Sequence, residues 1–376
     1  MPKEKNIEPL LVKIIRIVTG LVFIFSATVK GIDPLGTDYR VVDYLEAYSW
    51  YSFIDFSFAL TILVISVEFF LGVALLFRLR LRLAALGVLM LMIFFTVVTF
   101  IDARYNLITD CGCFGDAIKL TNWQTFYKNI VLLIFAISIF AWRSKIERQG
   151  GKGTQLIVLL LFIAGFGWFM SYNYNHLPVV DFRDWEIGND MKSTGRETIV
   201  SYLAYKNKNT GEIKEYISPD YPWNDSVWLS EWEFVDQRID DSQLVMKHGL
   251  IIEDENGNNL TEQIIENPGY QFVLASYDLD EAVGQGMIDA SGIFHKMIEN
   301  NIDVALLTSS TEDVIEKYRK LYTIDYDVYF ADDIELKAMI RSNPGLVLLK
   351  DGVVISKWHH NDFPQISEVE ELISHD

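Results

Sequence analysis

Two cysteines are the only thiols in this 376-residue chain, and they stand two positions apart in Asp110-Cys111-Gly112-Cys113-Phe114-Gly115-Asp116. A dithiol so spaced could cycle between reduced and disulfide forms. Closing so small a ring strains it, because the two Cα atoms must come within ordinary bridging range. Gly112 eases this by admitting backbone angles closed to other residues. A strained, exposed bridge is oxidising and suited to passing its disulfide on. Asp110 and Asp116 oppose thiolate formation, while Thr121-Asn-Trp-Gln124 fits a capping box whose helix N-terminus would favour it. Two other readings stay open: a static bridge that pins the loop, or buried thiols at a helix junction. Zinc needs about four ligands, and all six histidines lie at His176 or beyond, so no metal is expected.

The second chemical signal is Glu68, in the middle of the apolar run Ile65-Ser-Val-Glu-Phe-Phe-Leu-Gly72. A carboxylate in hydrocarbon is costly and usually faces a helix-bundle interior, where it pairs or relays protons. Lys30 and Arg104, at the ends of neighbouring runs, are its candidate partners, although end-of-helix cations commonly snorkel to the interface. Adjacent histidines in a strand point to opposite faces, so His359 and His360 form no bidentate site; with His176 they read as surface residues.

These residues depend on the elements that carry them. Five runs are long and apolar enough to span about 30 Å of hydrocarbon: Leu10–Thr28, Phe56–Phe77, Leu83–Ile101, Trp123–Trp142 and Thr154–Tyr172. Lys and Arg gather before the first run, between the second and third, and between the fourth and fifth. The positive-inside rule then makes the N-terminus cytoplasmic. The Asp-rich loop Gly31–Asp55, the cysteine loop and everything after Tyr172 face outward. The first run shows no cleavage site and reads as a retained helix.

Charge divides the chain. Residues 1–172 hold 16 Lys and Arg against 12 Asp and Glu, which leaves 16 and 39 to the remainder, so a part near +4 is joined to one near −23. The acidic part argues against nucleic acid, which requires a basic surface. Turn signals at Asn209-Thr-Gly211 and Glu255-Asn-Gly257 predict hairpins within 177–268. From Tyr270 strands and helices alternate: strand Gln271–Ser276, helix Gly286–Asn300, strand Ile302–Leu307, helix Glu312–Tyr322, strand Tyr326–Phe330, helix Ile334–Ile340. A hairpin of Gly345–Leu349 and Val353–Trp358, turned at Lys350-Asp-Gly352, ends the pattern. The expected organisation is a four-helix membrane domain over 1–145, a cytoplasmic turn and fifth membrane helix over 146–176, an exported β-rich segment over 177–268, and an α/β domain over 269–376.

That last pattern, with Asn343-Pro-Gly345 ahead of the hairpin, resembles the thioredoxin fold. There a proline like Pro344 is typically cis and faces the redox site, which makes Pro344 a candidate for peptide docking. The chain departs from the family where its Cys-x-x-Cys would stand, reading Ser276-Tyr-Asp-Leu-Asp-Glu281. Gly20-Leu-Val-Phe-Ile-Phe-Ser26, Lys30-Gly-Ile-Asp33-Pro34, Glu68-Phe-Phe-Leu-Gly72 and Cys111-Gly-Cys-Phe-Gly115 together resemble the DoxX/MauE family of four-helix membrane proteins. The whole build resembles DoxX-family proteins of the Bacteroidetes. The resemblance implies thiol redox maturation of exported proteins, with Cys111, Cys113 and Glu68 as reacting groups. Lys30, Asp33, Arg104, Asp110 and Asp116 would support them, and a membrane quinone would be the cofactor. It also implies a bacterial inner-membrane location, a periplasmic C-terminal domain, and a periplasmic protein or thiol carrier as partner. Whether the chain is an enzyme stays open, with thiol:quinone oxidoreductase as the candidate activity. The alternative is a non-enzymatic membrane-anchored scaffold whose thioredoxin-like domain binds envelope proteins.

Overall fold

The computed structural model describes residues 8–108, 112–146, 151–192, 200–217, 222, 225–240 and 248–374. They divide into two compact units, one of residues up to Arg183 with His359–Asp362, the other of Asp184–Trp358 with Phe363–Asp376.

The first unit is helical: α1 (Leu10–Ile32), α2 (Pro34–Ala47), α3 (Ser57–Phe77), α4 (Leu81–Tyr105), a short strand β1 (Cys113–Asp116), α5 (Asn122–Trp142) and α6 (Lys152–Asn175). Among the described residues, five helices are long and apolar enough to cross a membrane. Helix α1 runs past Thr28 to Ile32, because the charge that ends its apolar run, Lys30, is buried and paired. Gly31–Asp55 is mostly helix rather than loop. Asp33 caps α2 by accepting a hydrogen bond from Gly36 N at 2.8 Å, with Pro34 at the first helical position, where its missing N–H costs nothing.

Helices α1 and α3 touch backbone to backbone. A Cβ added to Gly72 would lie 2.8 Å from the Gly20 carbonyl oxygen and 2.8 Å from Ile24 Cγ1, the kind of approach that small residues permit in membranes. At one end of this pair the buried Arg16 donates to the carbonyls of Leu75 (2.5 Å) and Leu76 (3.3 Å), closing the C-terminus of α3, while Glu8 balances its charge at 2.8 Å. Helices α4 and α5 pack antiparallel through Thr99 and Asn129, whose amide donates to the Thr99 hydroxyl at 3.1 Å. The expected capping box forms at Thr121 and Gln124. Helix α6 is the least buried of the five and touches the bundle through Phe166, stacked 3.8 Å from Phe69.

Among the described residues the second unit holds two sheets. A three-stranded antiparallel sheet is built from β2 (Val200–Asn207), β3 (Ile213–Ile217) and β4 (Trp232–Asp240) in the order β3-β2-β4, with α7 (Ser226–Glu231) before β4. Its aromatic contacts centre on Trp228, against Tyr205, Tyr216 and Trp232. The larger sheet comprises β5 (Ile252–Glu253), β6 (Tyr270–Ala275), β7 (Asp303–Thr308), β8 (Val328–Ala331), β9 (Gly345–Lys350) and β10 (Val353–His359), in the order β10-β9-β6-β7-β8-β5. Strands β6, β7 and β8 are parallel, and β9 lies antiparallel to β6. Helices α8 (Thr261–Ile265), α9 (Gly284–Glu299), α10 (Glu312–Leu321), α11 (Asp333–Met339) and α12 (Ile366–Ser374) complete it.

The core of that sheet is Phe272, Leu274, Leu306, Leu346 and Leu348 against Met287, Phe294 and Tyr318. The β9–β10 turn places Asp351 (φ 49°) and Gly352 (φ 80°) in left-handed conformation, as a two-residue hairpin requires. Both sheet edges are bordered by residues before 268. Gly188–Met191 exchange backbone hydrogen bonds with Gly352 and Val354, and β5 pairs with β8, which blunts edges that would otherwise template association.

Candidate functional site

Glu68 projects from the buried stripe of α3 that also carries Ile65, Phe69 and Gly72. Lys30, in the last turn of α1, reaches both of its carboxylate oxygens, Oε1 at 2.7 Å and Oε2 at 2.8 Å. Both side chains are buried, at 9% and 4% exposure, so the pair neutralises two charges that would otherwise be prohibitive in hydrocarbon. Of the two expected partners, Lys30 is therefore the one at Glu68. Arg104 is exposed at the end of α4, with its guanidinium 5.6 Å from the Tyr105 ring. The Lys30 ammonium also lies 5.7 Å from the Phe95 ring centre.

Ser26 precedes Lys30 by one helical turn and so shares its face. Its hydroxyl lies 3.1 Å from Glu68 Oε2 and 2.8 Å from the carbonyl oxygen of Cys113. A hydroxyl has one proton to give, so Ser26 divides it between the carboxylate and the cysteine loop. The loop is seated on α1, α2 and α5 at further points. Gly115 (φ 51°) is close enough that a Cβ there would lie 3.3 Å from Val29 Cγ1, and a Cβ on Gly112 (φ 62°) would lie 3.2 Å from Arg40 Cγ. Phe114 sits 5.6 Å from Phe25, with Lys128 Nζ 4.3 Å above its ring. Cys113 and Asp116 are half-buried on β1. Asp110 and Cys111 lie outside the described residues.

Asp33 caps α2, accepting from Gly36 N. Pro344 belongs to the other unit. It is buried and follows a cis peptide bond from Asn343. Asn343 accepts from Ser276 Oγ (2.8 Å), donates to the Asp278 carbonyl (2.7 Å) and, through its own carbonyl, accepts from Val283 N (3.0 Å). It thereby ties down the segment after β6.

Several residues of this neighbourhood escaped sequence reasoning. Ser26 gave a weak signal, its spacing of four from Lys30. Asp38 on α2 accepts from Thr61 Oγ1 at 3.0 Å, and burial holds its carboxyl above the usual range despite the Thr61 and Ser57 hydroxyls that pull it down. Asp102, fully buried on α4, accepts from the Tyr44 hydroxyl at 2.8 Å. Its signal was the repeat Thr96, Thr99, Asp102, a polar stripe at helical spacing.

Five helices among the described residues are long and apolar enough to cross a membrane, and two of them bury a charged pair between them, which points to a multi-pass membrane protein. Residues 8–143, just over a third of the chain, match the family model described as Methylamine utilisation protein MauE. This match covers α1 to α5, and with them the ion pair and the cysteine loop. A comparison with curated proteins finds no match.

Proposed function

We propose that this chain is a membrane accessory factor for thiol redox maturation of exported proteins, in which Cys111 and Cys113 exchange a disulfide with a partner. One observation carries the reading. The Lys30–Glu68 pair and the Cys113 backbone share the Ser26 hydroxyl, so the intramembrane charges and the cysteine loop form one unit. The MauE-like match over residues 8–143 supports it.

The exchange balances as follows in this reading. A thiolate of the partner attacks one sulfur of a Cys111–Cys113 disulfide, giving a mixed disulfide and releasing the other cysteine as thiolate. The partner's second thiol displaces the first sulfur, so the partner leaves oxidised and the dithiol stays behind, two electrons richer. Restoring the bridge needs an acceptor of two electrons and two protons, for which a lipid-soluble quinone is the proposed class. Glu68 and Lys30 are engaged with each other, and no step is drawn through a quinone at that pair.

In the same proposal the chain lies in a bacterial inner membrane with its N-terminus cytoplasmic, the orientation favoured by the Lys and Arg distribution. The C-terminal unit is periplasmic and thioredoxin-like. The β6-α9-β7 parallel unit followed by the β9–β10 hairpin supports that likeness. Lacking cysteine, this unit would bind partners rather than exchange disulfides. That last observation also favours a second reading, a scaffold whose C-terminal unit holds envelope proteins while the bundle anchors it.

Alkylation mass shifts of Cys111 and Cys113 in native membranes, with the quinone pool oxidised and then reduced, test the proposal. A redox state that follows the pool is the expected result. Cysteines fixed in one state under both conditions would sink it in favour of the scaffold.

A further inference from the structure

The seam between α4 and α5 holds a second buried polar group, at the helix ends that flank the cysteine loop. Thr96, Thr99 and Asp102 line one face of α4, and Asn122, Thr125 and Asn129 line the facing side of α5. Two hydrogen bonds fix how these rows meet: Asn129 to Thr99 at 3.1 Å, and Asn122 Nδ2 to Asn106 Oδ1 at 3.1 Å. In an antiparallel pair so registered, Asp102 stands opposite Thr125, one helical turn from Asn122. Tyr44 donates to Asp102 Oδ2, and Tyr48, the residue that ends α2, stands one turn further along, its N–H on the Tyr44 carbonyl.

Four oxygens in this group have no hydrogen-bond partner among the described residues: Asp102 Oδ1, Asn122 Oδ1, Thr125 Oγ1 and the Tyr48 hydroxyl. All four oxygens are shut off from solvent, although the Tyr48 side chain as a whole is only half-buried. Asp102 and Thr125 are each 1% exposed and Asn122 is 8% exposed. The orientation of Asn122 follows from its amide, which donates to both Asn106 Oδ1 and the Ile108 carbonyl (2.8 Å) and leaves its oxygen aimed the other way.

A buried carboxylate with no cationic partner costs several kcal/mol, and buried polar atoms left unpaired add to that. A proton on Asp102 would serve at most one further oxygen. A cation seated among them would draw on lone pairs from all four. Among the described residues no group of three His, Cys, Asp or Glu is placed to hold a metal, so a soft or transition metal has no ligand set, whereas hard cations choose oxygen. One carboxylate balances one positive charge, and a divalent ion would leave a net charge buried. We propose that Asp102, Asn122, Thr125 and Tyr48 bind a monovalent cation, sodium or potassium, between α2, α4 and α5. The site steadies the two helix ends from which the cysteine loop springs.

The test uses the full-length protein in detergent. Its thermal midpoint is followed as sodium chloride or potassium chloride replaces choline chloride at constant ionic strength. The expected result is a saturable upward shift of several degrees with one or both metal salts, absent in Asp102→Asn, which keeps the volume and removes the charge. The ion that saturates at lower concentration identifies the natural occupant. Equal midpoints of the unsubstituted protein in all three salts would overturn the proposal and leave Asp102 neutralised by a proton. A shift that survives in Asp102→Asn would overturn it too. Thr125→Val, which keeps the side chain's shape, is expected to raise the half-saturating concentration about tenfold, the loss of one ligand worth about 1.4 kcal/mol. An unchanged value would remove Thr125 and refute the site as drawn.

Discussion

Glu68→Gln isolates what the intramembrane ion pair does. The substitution keeps the side chain's shape and removes its charge, so Lys30 Nζ loses its counter-charge and one of its two acceptors at 2.7 and 2.8 Å while remaining buried near the Phe95 ring. Removing one member of a buried pair costs about 3–5 kcal/mol, because the other charge is left uncompensated. For a helical unit of this size that is a fall in thermal midpoint of roughly 6–20 °C. Lys30→Met should cost a similar amount for the mirror-image reason. The double variant Lys30→Met with Glu68→Gln should recover most of the loss, since no charge then stays buried, giving a coupling of about 2 kcal/mol or more. The assay is thermal unfolding of the four proteins, full length in detergent. Additive single effects, with coupling under about 0.5 kcal/mol, would refute the claim that the two charges compensate each other.

Two further outcomes follow from geometry and burial. Gly72→Ala should destabilise by about 1–3 kcal/mol, because the new methyl meets the Gly20 carbonyl at 2.8 Å and backbone cannot yield, whereas Gly87→Ala meets only the Leu71 Cδ2 end at 2.8 Å and should be near neutral; the same unfolding assay checks both, and a reversed order would contradict the close crossing of α1 and α3. Burial first, and the neighbouring His360 second, push the His359 imidazole down to about 4, below its unfolded value of about 6.5. The unfolded chain therefore binds the extra proton between those values. The stability contributed by neutral His359 is complete above about pH 6.5 and falls as acid is added, by about 2 kcal/mol at pH 5. His359→Gln should flatten that part of the pH profile of unfolding, and an unchanged slope would count against it.

The membrane helices were legible because hydrocarbon demands long apolar runs, and their limits were drawn short where a helix continues through polar or charged residues, as α4 does past Ile101 to Tyr105. Leu10–Thr28 stopped short of Lys30, while α1 continues to Ile32 because Glu68 makes that lysine affordable. The Asp351-Gly352 turn and the Thr121 capping box were readable from residue types that few other conformations favour. The helix α2 was hidden by its charge density and lack of a long apolar stripe. The Ser26 link was hidden for a different reason. Its partner in the loop is a backbone carbonyl, which every residue has and no sequence pattern marks. Strand β5 and the Gly188–Met191 edge were too short to show a period, and only the sheets that receive them reveal their role.

The crossing of Gly20 over Gly72 reaches beyond local packing. Together with the Arg16 clasp on Leu75 and the Lys30–Glu68 pair, it fastens α1 to α3 at three points along about 21 Å of helix. Sequence on the lipid-facing sides of the two helices can drift, but these contacts can change only in concert. A chimera that imports α1 from a relative without its α3 would misregister all three, so the two helices are one unit of inheritance and of engineering, separated in the chain by a whole helix and inseparable in design.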